Sequence, residues 1–252
     1  MGKFWSLLFL LVPILGVGIF VWAIMTPENR IWLPSDVSEH GHQIDHLFWF
    51  ILYLTGVVFV ITEVALCWFL WRYDGATNRD PVKFTHGSHS LEVVWTILPA
   101  ATLLFIAIYQ MNAWADAKIR QPNIKSTVEV VGRQFEWRFR YPGKDGEIGT
   151  QDDIHAVNDL HVPVAEDILV DLKSMDVLHD FFLPNLRVKQ DAVPGMKIPV
   201  WFRALESGTY DLVCAELCGW GHYKMKGRLT VESRKDFDAW LESKWQKQET
   251  TK

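Results

Sequence analysis

Residues Cys214 to Met225 read CAELCGWGHYKM, which places two cysteines, a histidine and a methionine at offsets 0, 4, 8 and 11. The chain has 3 cysteines in all, so most of its thiol chemistry sits in one short loop. Outside the cytoplasm, paired cysteines form disulfides by default. A Cys214–Cys218 bridge would close a very small loop, which adds little stability, and it gives no role to His222 and Met225. A metal reading uses all four side chains. Thiolate, imidazole and thioether are soft ligands that suit copper, and one Cys, a His and a weak Met form an electron-transfer site. A second thiolate is added here. Two thiolates can bridge two metal ions, so the loop reads as a binuclear site that needs another histidine.

The segment MDVLHDFFLPNLRVKQDAVPG offers one. His179 follows a predicted strand and precedes a Pro-containing turn, as expected of a ligand from a neighbouring loop. A lone histidine there would be structural. Beside the Cys214 loop it becomes a ligand candidate.

These loops need a scaffold. STVEVVGRQFEWRFRYPG alternates apolar and polar residues and ends in a Pro-Gly turn. EDILVDLKS, KIPVWFRAL, GTYDLVC and GRLTVES read as further strands. Many short strands with Gly and Pro punctuation predict a β-sandwich or barrel over residues 118–252. SRKDFDAWLESKWQKQ has helical spacing, with Phe237, Trp240 and Trp245 on one face, so a C-terminal helix is expected on the sandwich or the membrane surface.

The remainder, residues 1–117, is built of apolar runs: Phe4 to Met25, Leu47 to Trp71 and Val93 to Trp114. Each reaches the roughly 20 residues that a bilayer-spanning helix requires. Pro13 and Pro99 are tolerated in such helices, and tryptophans lie near the run ends, where an aromatic belt belongs. Hydrophobic residues make up 49% of the chain and Trp numbers 13, both ordinary for a membrane protein. Lys3 and the small residues Gly16 to Gly18 resemble a signal peptide, but the apolar run continues past them, so a retained helix is expected. Arg72, Arg79 and Lys83 lie between the second and third runs, whereas Arg30 is the only Lys or Arg between the first and second, with Glu28, Asp36, Glu39 and Asp45. The positive-inside rule puts the Arg72–Lys83 loop in the cytoplasm and everything after Trp114 outside. Net charge is −5 and there is no basic block, which argues against a nucleic-acid partner.

With His179, Cys214, Glu216, Cys218, His222 and Met225 in this order, the chain resembles subunit II of the haem–copper cytochrome c oxidases. LEVVWTILPA, Leu91 to Ala100, is similar to the start of that family's second core helix. The resemblance implies a cupredoxin-like domain with a dinuclear copper centre, CuA. It makes Cys214 and Cys218 bridging ligands, His179 and His222 terminal ligands, and Met225 and the Glu216 carbonyl axial ligands. The Glu216 side chain would reach a magnesium or manganese ion shared with subunit I. Glu92 would stand at the mouth of a proton pathway, although a lone Glu there, without the motif, reads by default as a helix-end anion. The implied partners are subunits I and III, membrane lipid, and a cytochrome c or a complex bearing one. The implied setting is a bacterial inner membrane, with the C-terminal domain on the periplasmic side.

The chain departs from the family's commonest members by its three membrane runs, by Phe135 in place of the electron-accepting tryptophan, and by Met196 in place of an arginine. No Cys-x-x-Cys-His follows the copper motif, so no fused cytochrome is expected. Trp137 is retained and is expected to share a strand face with Phe135, with Trp220 completing the electron-input region and nearby carboxylates steering a cationic donor. A Sco-type copper chaperone also pairs Cys-x3-Cys with a distant His, but downstream of the cysteines. A quinol-oxidase subunit II would lack the metal ligands.

Weaker signals remain. His40, His42 and His46 read as a solvated or interfacial cluster before a metal site. Asp145 to Asp153 has calcium-loop flavour without the full pattern. Glu63 is an intramembrane carboxylate of the kind that faces protein or water, and Cys67 reads as a small apolar residue.

Overall fold

The computed structural model describes residues 2–26, 32–75, 81, 84 and 86–249. Glu28, Arg30, Arg79 and Lys83, used above to orient the chain, lie outside the described residues. Two compact units form, one from Met1–Pro34 with Asp45–Gln110 and the other from Ser35–Ile44 with Met111–Lys252.

Three helices, α1 (Gly2–Met25), α2 (Gly41–Arg72) and α3 (His89–Lys118), are each long and apolar enough to cross a membrane. A helix satisfies its own backbone in lipid, which is why uninterrupted apolar sequence takes this form. Pro13 and Pro99 lie inside α1 and α3. Helices α2 and α3 both begin earlier than the apolar runs predict, because serines start them. Ser38 Oγ accepts the Gly41 N–H at 2.9 Å, and Ser88 Oγ accepts that of Leu91 at 3.5 Å. In α1 the Ser6 hydroxyl donates to the Cys67 carbonyl of α2 at 2.7 Å, so Cys67 packs as a small buried residue. Glu63 is half-buried on α2.

The second unit is a two-sheet sandwich. Its strands are β1 (Val128–Arg133), β2 (Glu136–Tyr141), β3 (Ile154–Val157), β4 (Asp159–Pro163), β5 (Asp167–Ser174), β6 (His179–Leu183), β7 (Val188–Ala192), β8 (Ile198–Arg203), β9 (Gly208–Cys214) and β10 (Lys226–Glu232). One sheet runs β3-β2-β1-β5-β8 and the other β4-β10-β9-β6-β7. β1 pairs with β5, and β4 with β10, in parallel; the remaining neighbours are antiparallel. Inward residues alternate along the strands, as in β2, where Trp137, Phe139 and Tyr141 are fully buried.

Two expectations are corrected here. The run through Gln134 and Phe135 is a hairpin, not one strand, and Phe135 occupies its turn. Phe135 and Trp137 therefore do not share a strand face. His179 is the first residue of β6, not part of a loop.

Three of the sheet edges, β8, β3 and β4, are covered, which spares unpaired backbone. Residues 35–40 lie along β8, with Leu205 N–H donating to Val37 O at 2.8 Å and Glu39 N–H to Arg203 O at 3.2 Å. The C-terminal helix α4 (Arg234–Glu249) packs against β3 and β4. Its Phe237 is buried, Trp240 stacks on His161 at 4.0 Å, and Gln248 exchanges hydrogen bonds with the backbone of Asp153 and His155.

Candidate metal centre

The sandwich brings the predicted ligands together at one end. Phe181 of β6 pairs with Cys214 of β9, which sets His179 beside the last residue of β9. His179 Nδ1 is 3.9 Å from Cys214 Sγ. The Cys214 N–H donates to the Met225 carbonyl at 3.1 Å and so closes the loop at its base. A 3-10 turn at His222–Lys224 then winds the chain so that two side chains face Cys218. His222 Nδ1 and Met225 Sδ each lie 3.7 Å from Cys218 Sγ. The Glu216 carbonyl accepts from Cys214 Sγ at 3.2 Å.

The donor atoms thus form two linked sets. His179 and the Glu216 carbonyl attend Cys214; His222 and Met225 attend Cys218. The two sulfurs are 3.9 Å apart and both cysteines are free thiols, so the disulfide alternative is not adopted. His179, Cys214, Cys218 and Met225 are all buried, which keeps water from competing for the site. Two thiols, two imidazoles and a thioether make a soft donor set that fits copper.

The electrostatics of the two thiols differ. Burial opposes ionisation of the Cys214 thiol, but hydrogen bonds from His179 and from the Asp180 and Glu216 backbone pull it down to about 6. Cys218 goes the other way, up to about 11, through burial and the charge on Cys214. One thiol ionises readily and the second resists while its neighbour is charged. Burial works against a charged His179, yet Cys214 and Asp176 together hold its pKa above the ordinary imidazole value.

Two residues that sequence reasoning missed shape this geometry. Asp176 Oδ1 is 2.8 Å from His179 Nε2, where it accepts an N–H and orients the ring so that Nδ1 faces Cys214. The signal was the Asp three residues before the His, within MDVLH. Gly132 passes so close that a Cβ there would lie 2.8 Å from His179 Cδ2. No local pattern marks that glycine.

The other predicted residues fall as follows. Trp137 is fully buried under the site, with ring centroids 6.0 Å from His179 and 5.6 Å from Phe181. Trp220 is 79% exposed and meets Phe135 edge-on at 5.4 Å. Leu217 and Tyr223 are also exposed, and Lys224 Nζ lies 4.9 Å over the Trp220 ring, so the loop's outer surface is aromatic and apolar with one cation on it. Glu92 lies in the first turn of α3, where the observed cap comes from Ser88. Burial pushes the Asp180 carboxyl up to about 6, against the pull of Lys189 and with the support of Asp191 and Glu216, so carboxylates gather beside the Glu216 side chain. Asp152 and Asp153 spend their oxygens on Thr150, on the Asp145 and Gly149 N–H groups, and on Arg140. His40 stacks edge-on against Trp201 at 4.6 Å.

Alternative cytochrome c oxidase subunit 2 of Bradyrhizobium diazoefficiens is 30% identical over 255 residues, covering 92% of this chain and 90% of that protein. Residues 126–232 match the family described as cytochrome C oxidase subunit II, periplasmic domain, and residues 27–113 match its transmembrane domain. The chain belongs to the cytochrome c oxidase subunit II family. Cytochrome c oxidase subunit 2 of Thermostichus vulcanus is 28% identical, with 89% of this chain and 82% of that one covered. Among solved structures, the periplasmic domain of subunit II of cytochrome oxidase (CoxB) of Bradyrhizobium japonicum is 30% identical; it covers 50% of this chain and 97% of its own, at a TM-score of 0.45.

As a subunit II, the chain is a component of a haem–copper oxidase, anchored by membrane helices with its C-terminal sandwich outside the cytoplasm. Helix α1 lies ahead of the residues matched to the transmembrane family. The Sco-type reading is set aside, since the family matches run through both parts of the chain and His179 precedes both cysteines.

Proposed function

We propose that the chain takes electrons from a cytochrome c, or from a complex bearing one, and hands them to the haem of subunit I for oxygen reduction coupled to proton pumping. The observation that carries this reading is the paired convergence on two adjacent thiols, with His179 on Cys214 and with His222 and Met225 on Cys218. In this reading Cys214, Cys218, His179, His222, Met225 and the Glu216 carbonyl would hold a dinuclear copper centre, CuA. When bound, the copper pair supplies a one-electron redox couple.

The remaining residues serve that couple. Asp176 holds His179 in the ligating tautomer. Trp137 packs beneath the ligands and excludes water, while Phe135 and Trp220 offer the donor an aromatic face close to the thiols. The Glu216 carboxylate, with Asp180 and Asp191 nearby, reaches a magnesium or manganese ion shared with subunit I. Glu92, at the cytoplasmic end of α3, collects protons for subunit I. Subunit III and membrane lipid complete the surroundings of the helices.

Copper content with visible and electron paramagnetic resonance spectra tests the reading. The chain should hold two coppers and give a delocalised dinuclear signal. Cys218→Ser should lose that signal, because a hydroxyl cannot replace a bridging thiolate. A wild-type chain holding one copper or none would sink the proposal.

A further inference from the structure

We propose that Gln134 is a positioning residue that keeps the second thiolate, Cys218, within sharing distance of Cys214. The inference rests on the dinuclear reading above. It begins from a difference in how the ligands are fastened. His179 and Cys214 belong to paired strands, and the Ala215 N–H donates to the Asp180 carbonyl at 3.1 Å just beyond them. Met225 is tied to Cys214 through the backbone at the loop's base. Cys218 sits at the apex. The hydrogen bonds near it are local turns, from His222 N–H to Gly219 O and from Lys224 N–H to Gly221 O, both 3.1 Å.

Among the described hydrogen bonds, the one that reaches the apex from outside the loop is donated by the Gln134 side-chain amide to the Cys218 carbonyl. The same residue reaches the other half of the site. Its backbone N–H donates to Asp176 Oδ2 at 2.8 Å, while Asp176 Oδ1 is 2.8 Å from His179 Nε2. One hairpin turn therefore joins the His179 side and the Cys218 side through a continuous chain of short polar contacts.

The apex is also shaped to receive that turn. Gly219 has a φ of +133°, and a Cβ there would lie 2.8 Å from Gln134 Nε2. A Cβ on Gly221 would lie 2.5 Å from the Phe135 ring. Side chains at either position would lift the apex off the turn. Cys218 is the ligand that distinguishes two metals from one, so its anchor sets how many metals the site holds.

The test compares full-length chains purified in detergent: wild type, Gln134→Met, which keeps the length and loses the donor, and Gln134→Lys, which keeps an N–H. Groups that orient metal ligands cost about 10–100-fold in metal affinity when removed. Gln134→Met should therefore release copper to a chelator roughly 10–100-fold faster than wild type. Its copper content should fall toward one per chain, with a mononuclear spectrum. Gln134→Lys should stay close to wild type. If Gln134→Met fails to accumulate, Gln134→Glu replaces it, since a carboxylate has no hydrogen to give the carbonyl. Two coppers with unchanged spectrum and release rate in the donor-less variant would overturn this inference alone, as would equal losses in Gln134→Met and Gln134→Lys. A wild-type chain holding one copper would overturn the proposed function and this inference with it.

Discussion

In the metal-free chain, Cys214 should be a thiolate at neutral pH while Cys218 stays a thiol, and His179 should be the cause. The Cys214 value of about 6, against 9.0 for an ordinary thiol, corresponds to about 90% thiolate at pH 7 instead of about 1%. His179 is the strongest of the groups that lower it, from 3.9 Å. His179→Asn removes that group and leaves the burial that opposes ionisation. The thiolate fraction at pH 7 should then fall, although the Asp180 and Glu216 backbone and His222 still favour the thiolate, and alkylation of Cys214 should slow in proportion. The assay is iodoacetamide labelling across pH with mapping of the modified peptide. Midpoints are read from the pH profile, so limited access to the buried sulfurs cancels between variants. Cys214 should show a midpoint near 6 in the wild type and a clearly higher one in His179→Asn, while Cys218 stays high. A Cys214 midpoint near 9 in the wild type, or one unmoved by His179→Asn, would refute the reasoning. The same shift has a stability sign. A group whose folded value is depressed stabilises the fold above its unfolded value and loses that share as pH falls through the folded one. The Cys214 share should be lost as pH drops through about 6, while Asp180, raised to about 6, and His179, also raised, contribute with the opposite sign.

Gly132→Ala should push a methyl into the His179 ring, which its Cβ would approach to 2.8 Å, and overpacking of this kind costs about 1–3 kcal/mol. A lower melting temperature together with weakened copper binding is expected; an unchanged melting curve and spectrum would mean the ring has room. Glu92→Ala should slow turnover of the assembled oxidase and leave the copper spectrum intact. Because Ser88 supplies the helix cap, the stability change should stay within about 0.5 kcal/mol. Unchanged turnover would remove Glu92 from the proton route.

The ligand types and the membrane helices were legible in the sequence because both are written locally. Cys214, Cys218, His222 and Met225 fall within one loop, and a bilayer-spanning helix needs little more than length and apolarity. The inward alternation of β2 and β5 was legible for the same reason. Other features depended on partners far along the chain. The short strands β3, β4, β6 and β7 carry little pattern of their own and are defined by their neighbours in the sheets. The turn at Gln134–Phe135 reads as continuous strand until the pairing of β1 with β2 folds it back. Gly132 and Gln134 look like ordinary surface and strand residues. They matter because the parallel pairing of β1 with β5, and the Phe181–Cys214 register, bring residues 132–134, 176–179 and 214–225 to one end of the sandwich. Local sequence sets what each donor atom is. The Cys214–Cys218 and Cys218–His222 separations are set within the loop, but the 3.9 Å between His179 and Cys214 is set by backbone ladders closing between distant strands, which no short stretch encodes by itself.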